Sequence, residues 1–129
     1  MTVQLKAVNK GVFVEGRLSL AAFDGDKLVG CVDLFDHSPL HLRAEVGIVV
    51  SPPLRGKGYG AAMLRAVEKL ARDTLRLHQL YCTIRTDNKV SLALFDGAGY
   101  ERVGLLRDWV YEDGTYLDAI RMQKIISNP

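Results

Sequence analysis

The sequence predicts an α/β (α+β) protein. Its helices are expected to pack on a mixed β-sheet, which contains both parallel and antiparallel strands. Two observations predict this class: apolar residues alternate in several short segments, as in strands, and recur at helical spacing in two others. The predicted element order is β-β-β-α-β-α-β-β, and its β-α-β crossover requires two parallel neighbouring strands. With 129 residues, the chain is predicted to form a single domain, with a short N-terminal segment (1–16) and a core (17–126).

The first predicted elements are three strands. Residues 17–36 are predicted to form a hairpin around a turn at 24–26, because apolar and polar residues alternate on both sides of it. A third, largely apolar strand is predicted over 43–50. It ends before Pro52-Pro53, whose missing N–H groups interrupt a β ladder.

Two helices and three strands are predicted for the rest of the chain. The first helix follows a glycine-rich loop and ends near residue 74, because its apolar residues recur at i, i+3 and i+4. A short strand is predicted over 80–84, rich in β-formers. A second helix is predicted over 89–98, and a long hairpin over 100–126.

Composition excludes several classes of function. The formal net charge is +2 without a basic run, so no nucleic-acid surface is predicted, and no apolar stretch reaches membrane-spanning length. The first residues lack a signal-peptide pattern, and two free thiols are consistent with a reducing cytoplasm. Cys31 and Cys82 lie in apolar strand-like segments and are predicted to be buried free thiols. No Cys/His cluster has ligand spacing, so no metal is predicted.

A glycine-rich loop lies between the third strand and the first helix. We call it the anion loop; it reads Arg55-Gly56-Lys57-Gly58-Tyr59-Gly60-Ala61. A helix N-terminus offers unpaired N–H groups and partial positive charge, glycines allow close approach, and Arg55 and Lys57 add charge. The loop therefore predicts a phosphate or pyrophosphate site. Its spacing matches neither the Walker loop nor the G-x-G-x-x-G dinucleotide fingerprint.

The anion loop matches the pattern Q/R-x-x-G-x-G/A, and here the chain resembles the GNAT superfamily of acetyl-CoA-dependent N-acetyltransferases. A second segment, 88–100, resembles that family's N-x-x-S/A-x-x-L-Y-E/D-x-x-G-F/Y motif. Two motifs on the appropriate elements are more specific than either alone. The resemblance covers about 17–126, and the tail is most similar to the polyamine and ribosomal-protein N-terminal acetyltransferases.

The resemblance implies a GNAT fold that lacks most of the usual N-terminal strand and helices, because 1–16 is too short for them. It implies that acetyl-CoA is bound and that its acetyl group is transferred directly to a primary amine of a polyamine, an amino acid or a protein N-terminus. The alternative is a weakly active or inactive GNAT-like module that binds CoA or a partner protein. The uncovered sheet edge favours a homodimer.

The resemblance also assigns functional residues. In the family, the third and fourth strands separate to admit the pantetheine arm. The predicted cofactor contacts are Ile48, Val49, Val50, Arg55, Gly56, Lys57, Gly58, Tyr59, Gly60, Ala61, Asn88, Ser91 and Phe95. Asn88 is equally well explained as a helix cap. The backbone N–H of Val50 is the predicted donor to the thioester oxygen.

Glu45 is the predicted general base for the amine, with His37 and His41 as alternatives. An ion pair with Arg43 or with a basic residue of the next strand explains Glu45 equally well. Phe95 stands where many relatives carry a tyrosine that is proposed to protonate the departing thiolate, so water is the expected proton donor unless activity is weak. Four carboxylates are candidates for collecting a cationic acceptor: Asp33, Asp36, Glu112 and Asp118.

Overall fold

The computed structural model describes residues 1–127 and contains a seven-stranded β-sheet with two α-helices. The strands are β1 (Gln4–Ala7), β2 (Leu18–Asp24), β3 (Lys27–Ser38), β4 (Arg43–Val50), β5 (Gln79–Arg85), β6 (Glu101–Glu112) and β7 (Thr115–Ile125). The helices are α1 (Tyr59–Lys69) and α2 (Lys89–Gly97). Across the sheet the order is β1-β2-β3-β4-β5-β7-β6. All neighbours are antiparallel except β4 and β5, which run parallel as the crossover predicts.

The predicted element order is confirmed from β2 onward, and the structure adds one strand before it. β1 pairs antiparallel with β2, with Gln4 opposite Phe23. The sequence gives no clear sign of this strand because it has only four residues, and Leu5 alone is partly buried. Residues 1–16 contain no helix. The segment therefore supplies the missing N-terminal strand in short form, without the helices.

The first helical segment reaches Thr74 as predicted, but its last turn is not α-helical. α1 stops at Lys69, and the chain continues as a π-helical turn over Leu70–Thr74, in which the Leu75 N–H donates to the Leu70 carbonyl at 3.0 Å. The remaining elements lie where the sequence predicts them, to within a residue or two at their ends. Residues 128–129 of the predicted domain lie outside the described residues.

The core lies between the helices and one side of the sheet, which we call the inner face. Ala44 and Val46 of β4, Leu80 and Cys82 of β5 and Met63 of α1 are buried there. The opposite side, the outer face, carries the alternating residues of the same strands. They include Cys31, Phe35, Glu45, Tyr81, Thr83 and Arg121.

The two cysteines differ in environment. Cys82 is buried on the inner face, and burial raises the pKa of its thiol to about 12. The predicted burial of Cys31 is wrong, because this residue is exposed. It lies opposite Val49 in the β3–β4 ladder, and strand alternation turns it to the uncovered outer face.

Candidate active site

The parallel strands β4 and β5 separate after a short paired stretch. Only three pairs join them, and Glu45 opposite Tyr81 is the last. Beyond it, 46–50 of β4 and 82–85 of β5 are not paired with each other, although each strand stays paired with its other neighbour. We call this opening the β4–β5 gap. It is the strand separation expected from the family resemblance.

Two backbone positions of β4 direct their polar groups into the gap. The Ser51 N–H donates to the Val29 carbonyl of β3 at 2.9 Å, and the register continues unbroken from this pair. Since paired and unpaired residues alternate in an antiparallel ladder, Val49 faces β3, whereas Ile48 and Val50 face away from it. The gap is therefore lined by backbone N–H and C=O groups that no strand pairs.

The anion loop has the conformation that its glycines allow. Gly56 and Gly58 have φ of 76° and 91°, and Gly58 is the N-cap of α1. The first N–H of the helix to reach a carbonyl is that of Ala62, which donates to Gly58 at 3.2 Å. The three N–H groups of 59–61 thus have no acceptor within the helix. This exposed helix start is suited to an anion.

Neighbouring contacts fix the position of the loop. The Arg55 Nε donates to the Val50 carbonyl at 3.2 Å, and the Tyr59 hydroxyl donates to the Asp24 carboxylate at 2.7 Å. The hydrogen bond to Asp24 raises the pKa of Tyr59. A Cβ on Gly60 would lie 2.9 Å from Cδ2 of Leu94, so a glycine lets the start of α1 approach α2.

A cavity of about 750 Å³ is lined by the end of β4 that borders the gap, by the anion loop and by α2. Most of the predicted cofactor contacts line it: Ile48, Val49, Val50, Arg55, Gly56, Gly58, Tyr59, Gly60, Ala61, Asn88 and Ser91. The volume lies within the range of small-molecule sites. Four further lining residues were not selected from the sequence: Leu54, Val90, Ala93 and Leu94. Three of them recur at i, i+3 and i+4 on α2, a spacing that marks one helix face.

Two predicted cofactor contacts do not line the cavity. Lys57 is exposed at the tip of the loop. Phe95 is only 3% exposed, and its ring packs edge-on against Tyr100 with centroids 4.9 Å apart. Leu92 and Phe95, three residues apart, are the buried residues of α2, so helical spacing was the signal that assigns Phe95 to the core.

The sequence explained Asn88 equally well as a cofactor contact and as a helix cap, and the position of Asn88 is compatible with both roles. Its Oδ1 accepts the Ser91 N–H at 3.2 Å, which makes it the N-cap of α2. The same residue borders the cavity. A helix cap thus also presents an amide group to whatever occupies the cavity.

Glu45 lies on the outer face where the gap begins. It is the one buried charged residue within 1–127, with 8% exposure. Its Oε1 lies 4.0 Å from Nη2 of Arg121, on β7. The ion pair foreseen for Glu45 therefore exists, but its partner comes from the strand beyond β5 rather than from Arg43.

The two histidines lie away from the gap. His37, near the end of β3, stacks on Phe13 with ring centroids 3.8 Å apart, and burial lowers its pKa. His41 is exposed in the turn before Arg43. Neither imidazole lines the cavity that contains the anion loop, and both stay alternatives to Glu45 as the base.

Within residues 1–127, no group of three or more His, Cys, Asp or Glu side chains is arranged to hold a metal ion. The same part of the chain contains no helix that is both long and apolar enough to span a membrane.

Comparison with known proteins identifies relatives of the chain. The profile of the acetyltransferase (GNAT) family matches residues 5–100. The spermidine N(1)-acetyltransferases of Vibrio cholerae and Escherichia coli K12 are 26% and 30% identical, over 88% and 77% of this chain. The N-alpha-acetyltransferase RimI of Mycobacterium tuberculosis is 35% identical over 64% of it. The chain spans only 66%, 53% and 48% of these three relatives, respectively.

Solved structures agree with the fold. A chimera of the Vibrio cholerae spermidine N-acetyltransferase SpeG and hSSAT superposes with a TM-score of 0.87 at 18% identity, covering 97% of this chain and 96% of that one. Vibrio cholerae spermidine N-acetyltransferase in complex with CoA and spermine gives 0.82 at 24% identity, with 86% and 66% coverage. At these identities the likeness establishes the fold.

Proposed function

The chain belongs to the acetyltransferase (GNAT) family, and on that premise we propose that it binds acetyl-CoA and transfers the acetyl group to a primary amine. The observation that carries the proposal is the continuity of the β4–β5 gap with the anion loop through one cavity. A single ligand with a phosphate-rich end and a narrow amide-containing arm would match both parts. The family's cosubstrate has this shape.

The anion loop is proposed to bind the pyrophosphate. The N–H groups of 59–61 have no acceptor within the helix and supply donors, and Arg55 supplies charge at the edge of the cavity. Lys57 is exposed and adds to the positive potential of the loop rather than to the cavity wall.

The backbone of β4 is proposed to hold the reactive arm. The polar groups of Ile48 and Val50 face the gap and would pair with the amides of the arm, as with an added strand. Val50 was predicted to stabilise the thioester oxygen. At about 3.3 Å per residue, Ile48 lies nearer to Glu45 by roughly 7 Å. We therefore propose the Ile48 N–H as the donor to the oxygen and Val50 as a contact of the arm.

Glu45 is proposed to accept the proton of the amine, directly or through water. The amine nitrogen forms a bond with the thioester carbonyl carbon, and the carbon–sulfur bond breaks with its electron pair leaving on sulfur. Phe95 has no proton to give and is packed in the core, so water is proposed to protonate the thiolate. The products are the acetylated amine and free CoA.

We further propose that the chain folds as a single domain, that it is located in the cytoplasm and that two copies form a homodimer. The free thiols Cys31 and Cys82 are consistent with a reducing compartment. The β6 edge is exposed at nearly every position and carries several large apolar side chains, which favours pairing with a second copy. The related spermidine acetyltransferase of Vibrio cholerae forms a dodecamer.

The test is a panel of amines incubated with acetyl-CoA, with acetylated product identified by mass and free thiol measured in parallel. We expect one acetyl group per acceptor amine and one thiol per product. Glu45→Gln should lower the rate by about 10²–10⁴-fold, the usual contribution of a general base, without loss of acetyl-CoA binding. Binding without product would instead support a CoA-binding module, and absence of both would contradict the proposal.

A further inference from the structure

A cluster of charged side chains lies on the outer face where the β4–β5 gap begins. Nη2 of Arg121 lies 4.0 Å from Oε1 of Glu45 and donates to Oγ1 of Thr83 at 3.1 Å. Cζ of the same guanidinium lies 5.2 Å from the centroid of the Tyr81 ring. Arg121 therefore reaches across β5 to β4, and contacts side chains of both strands that border the gap.

Two further charges belong to this cluster. Asp36 lies in the bulge near the end of β3, and Arg43 begins β4. The pKa of Tyr81 is raised, first by burial and then by the charges of Glu45 and Asp36. Arg121 and Arg43 act in the opposite direction. Two carboxylates and two guanidinium groups thus act on the charge of one phenol, and the cluster is balanced in charge rather than acidic.

Most of the carboxylates that were candidates for collecting a polycation already have partners. Asp33 forms an ion pair with Arg17 at 3.5 Å, and Glu112 forms one with Arg85 at 2.7 Å. Asp118 accepts a backbone N–H at 2.9 Å. A polyamine, which carries only positive charge, would meet no concentrated acidic surface from these three residues.

Arg121 retains binding capacity. Its side chain is 40% exposed, and its contacts at Glu45 and Thr83 both use one terminal nitrogen. Its Nε is buried without a hydrogen-bond partner within the described residues, so a ligand carboxylate would bind the terminal nitrogens of the guanidinium. A guanidinium presents a planar fork of donors that matches a carboxylate.

We propose that the acceptor is an α-amino acid whose carboxylate is bound by Arg121 and whose amino group faces Glu45. This substrate class rests on the proposed acetyl transfer. The nitrogen and the carboxylate oxygens of an α-amino acid are about 3 Å apart by standard dimensions. The 4.0 Å between the Glu45 and Arg121 groups is of the same size. The negative carboxylate of a zwitterion would face Arg121, and its positive amino group would face Glu45.

The test compares acceptors that differ only in the carboxylate. The best substrate among the L-amino acids is measured beside its carboxamide, its decarboxylated amine and spermidine. We expect kcat/KM for the amino acid to exceed that for the carboxamide by about tenfold or more, the effect of one charged hydrogen-bonding partner. Arg121→Gln should remove this preference by raising KM for the amino acid alone, and Arg121→Lys should restore part of it.

Arg102→Gln serves as the matched control, because Arg102 forms an exposed ion pair with Asp96, on β6 and α2, away from the gap. This variant should leave kcat/KM unchanged for both the amino acid and its carboxamide. Equal rates for amino acid and carboxamide in the unsubstituted protein, or a preference for spermidine, would overturn this inference and leave the proposed acetyl transfer intact. This comparison needs no variant, so it holds even if Arg121→Gln fails to fold. Absence of acetylated product from every acceptor would contradict both.

Discussion

At the scale of single residues, Gly58 has a conformation that no other residue adopts without strain. Gly58 has a φ of 91° and lies at the junction between the anion loop and α1. The N–H groups of 59–61, which follow it, are the proposed phosphate donors. The sequence predicted that the glycines of the loop allow close approach to an anion, and the left-handed conformation of Gly58 is a further reason for a glycine there. Its partners, such as the Arg55 contact to Val50, could not be predicted, since they depend on side-chain conformation.

Gly58→Ala is expected to lower the free energy of unfolding by about 1–2 kcal/mol, the cost of a left-handed conformation in a residue with a Cβ. It should also weaken acetyl-CoA binding, because the strained loop misplaces the donors. Gly97→Ala is the control: this glycine lies at the end of α2 without positive φ, and a Cβ there meets nothing within 4 Å. Urea unfolding and calorimetric titration measure the two effects. Equal losses in both variants would contradict the conformational argument.

At the scale of elements, the sequence predicted β4 and α2 well because local signals define both ends of each. β4 is an apolar run closed by Pro52-Pro53, and α2 begins after a capping asparagine and ends before a glycine. The charged cluster of the outer face could not be predicted. Glu45 and Arg121 lie close together only because β7 is the neighbour of β5 in the sheet. The spacing of apolar residues along the chain does not indicate the order of strands in a sheet.

Lys124 joins three elements and provides an element-scale prediction. Its Nζ donates to the Ala98 carbonyl at the end of α2 at 2.7 Å, and it forms an ion pair with Glu68 of α1. The side chain is only 27% exposed. Lys124→Met should lower the free energy of unfolding by about 1–3 kcal/mol, since it leaves the Ala98 carbonyl without its donor and Glu68 with only its longer ion pair to Arg72, at 3.8 Å.

The control is Lys89→Met, at the exposed start of α2. It should stay within about 0.5 kcal/mol of the unsubstituted protein, as is usual for surface changes. Thermal or urea unfolding of both variants measures the two changes in the free energy of unfolding. A Lys124→Met variant as stable as the control would show that Lys124 does not hold the helices on the sheet.

At the scale of the whole molecule, the sheet ends in an unprotected edge. β6 is twelve residues long and exposed at nearly every position, with Val103, Leu105, Trp109 and Tyr111 among its exposed apolar side chains. The sequence predicted an uncovered edge but located it at the N-terminal side, where β1 partly covers the sheet. A long apolar edge is a template for pairing with another chain.

Leu105→Lys is expected to convert the proposed homodimer into a monomer, because it places a charge in the middle of this edge. Light scattering coupled to size-exclusion chromatography measures the mass directly. Leu40→Lys is the control, as Leu40 is 82% exposed in the β3–β4 turn, and it should leave the mass unchanged. A monomeric unsubstituted protein, or a dimer that tolerates Leu105→Lys, would contradict the assignment of the interface to β6.

The whole account depends on the arm of acetyl-CoA occupying the β4–β5 gap, and amide hydrogen exchange of β4 tests this most directly. Without ligand, the Val49 N–H should be protected by β3, whereas the N–H groups of Ile48 and Val50 should exchange rapidly. Saturating acetyl-CoA should slow exchange at Ile48 and Val50 and leave Val49 unchanged. If neither amide gains protection while the ligand is demonstrably bound, the gap is not the binding site.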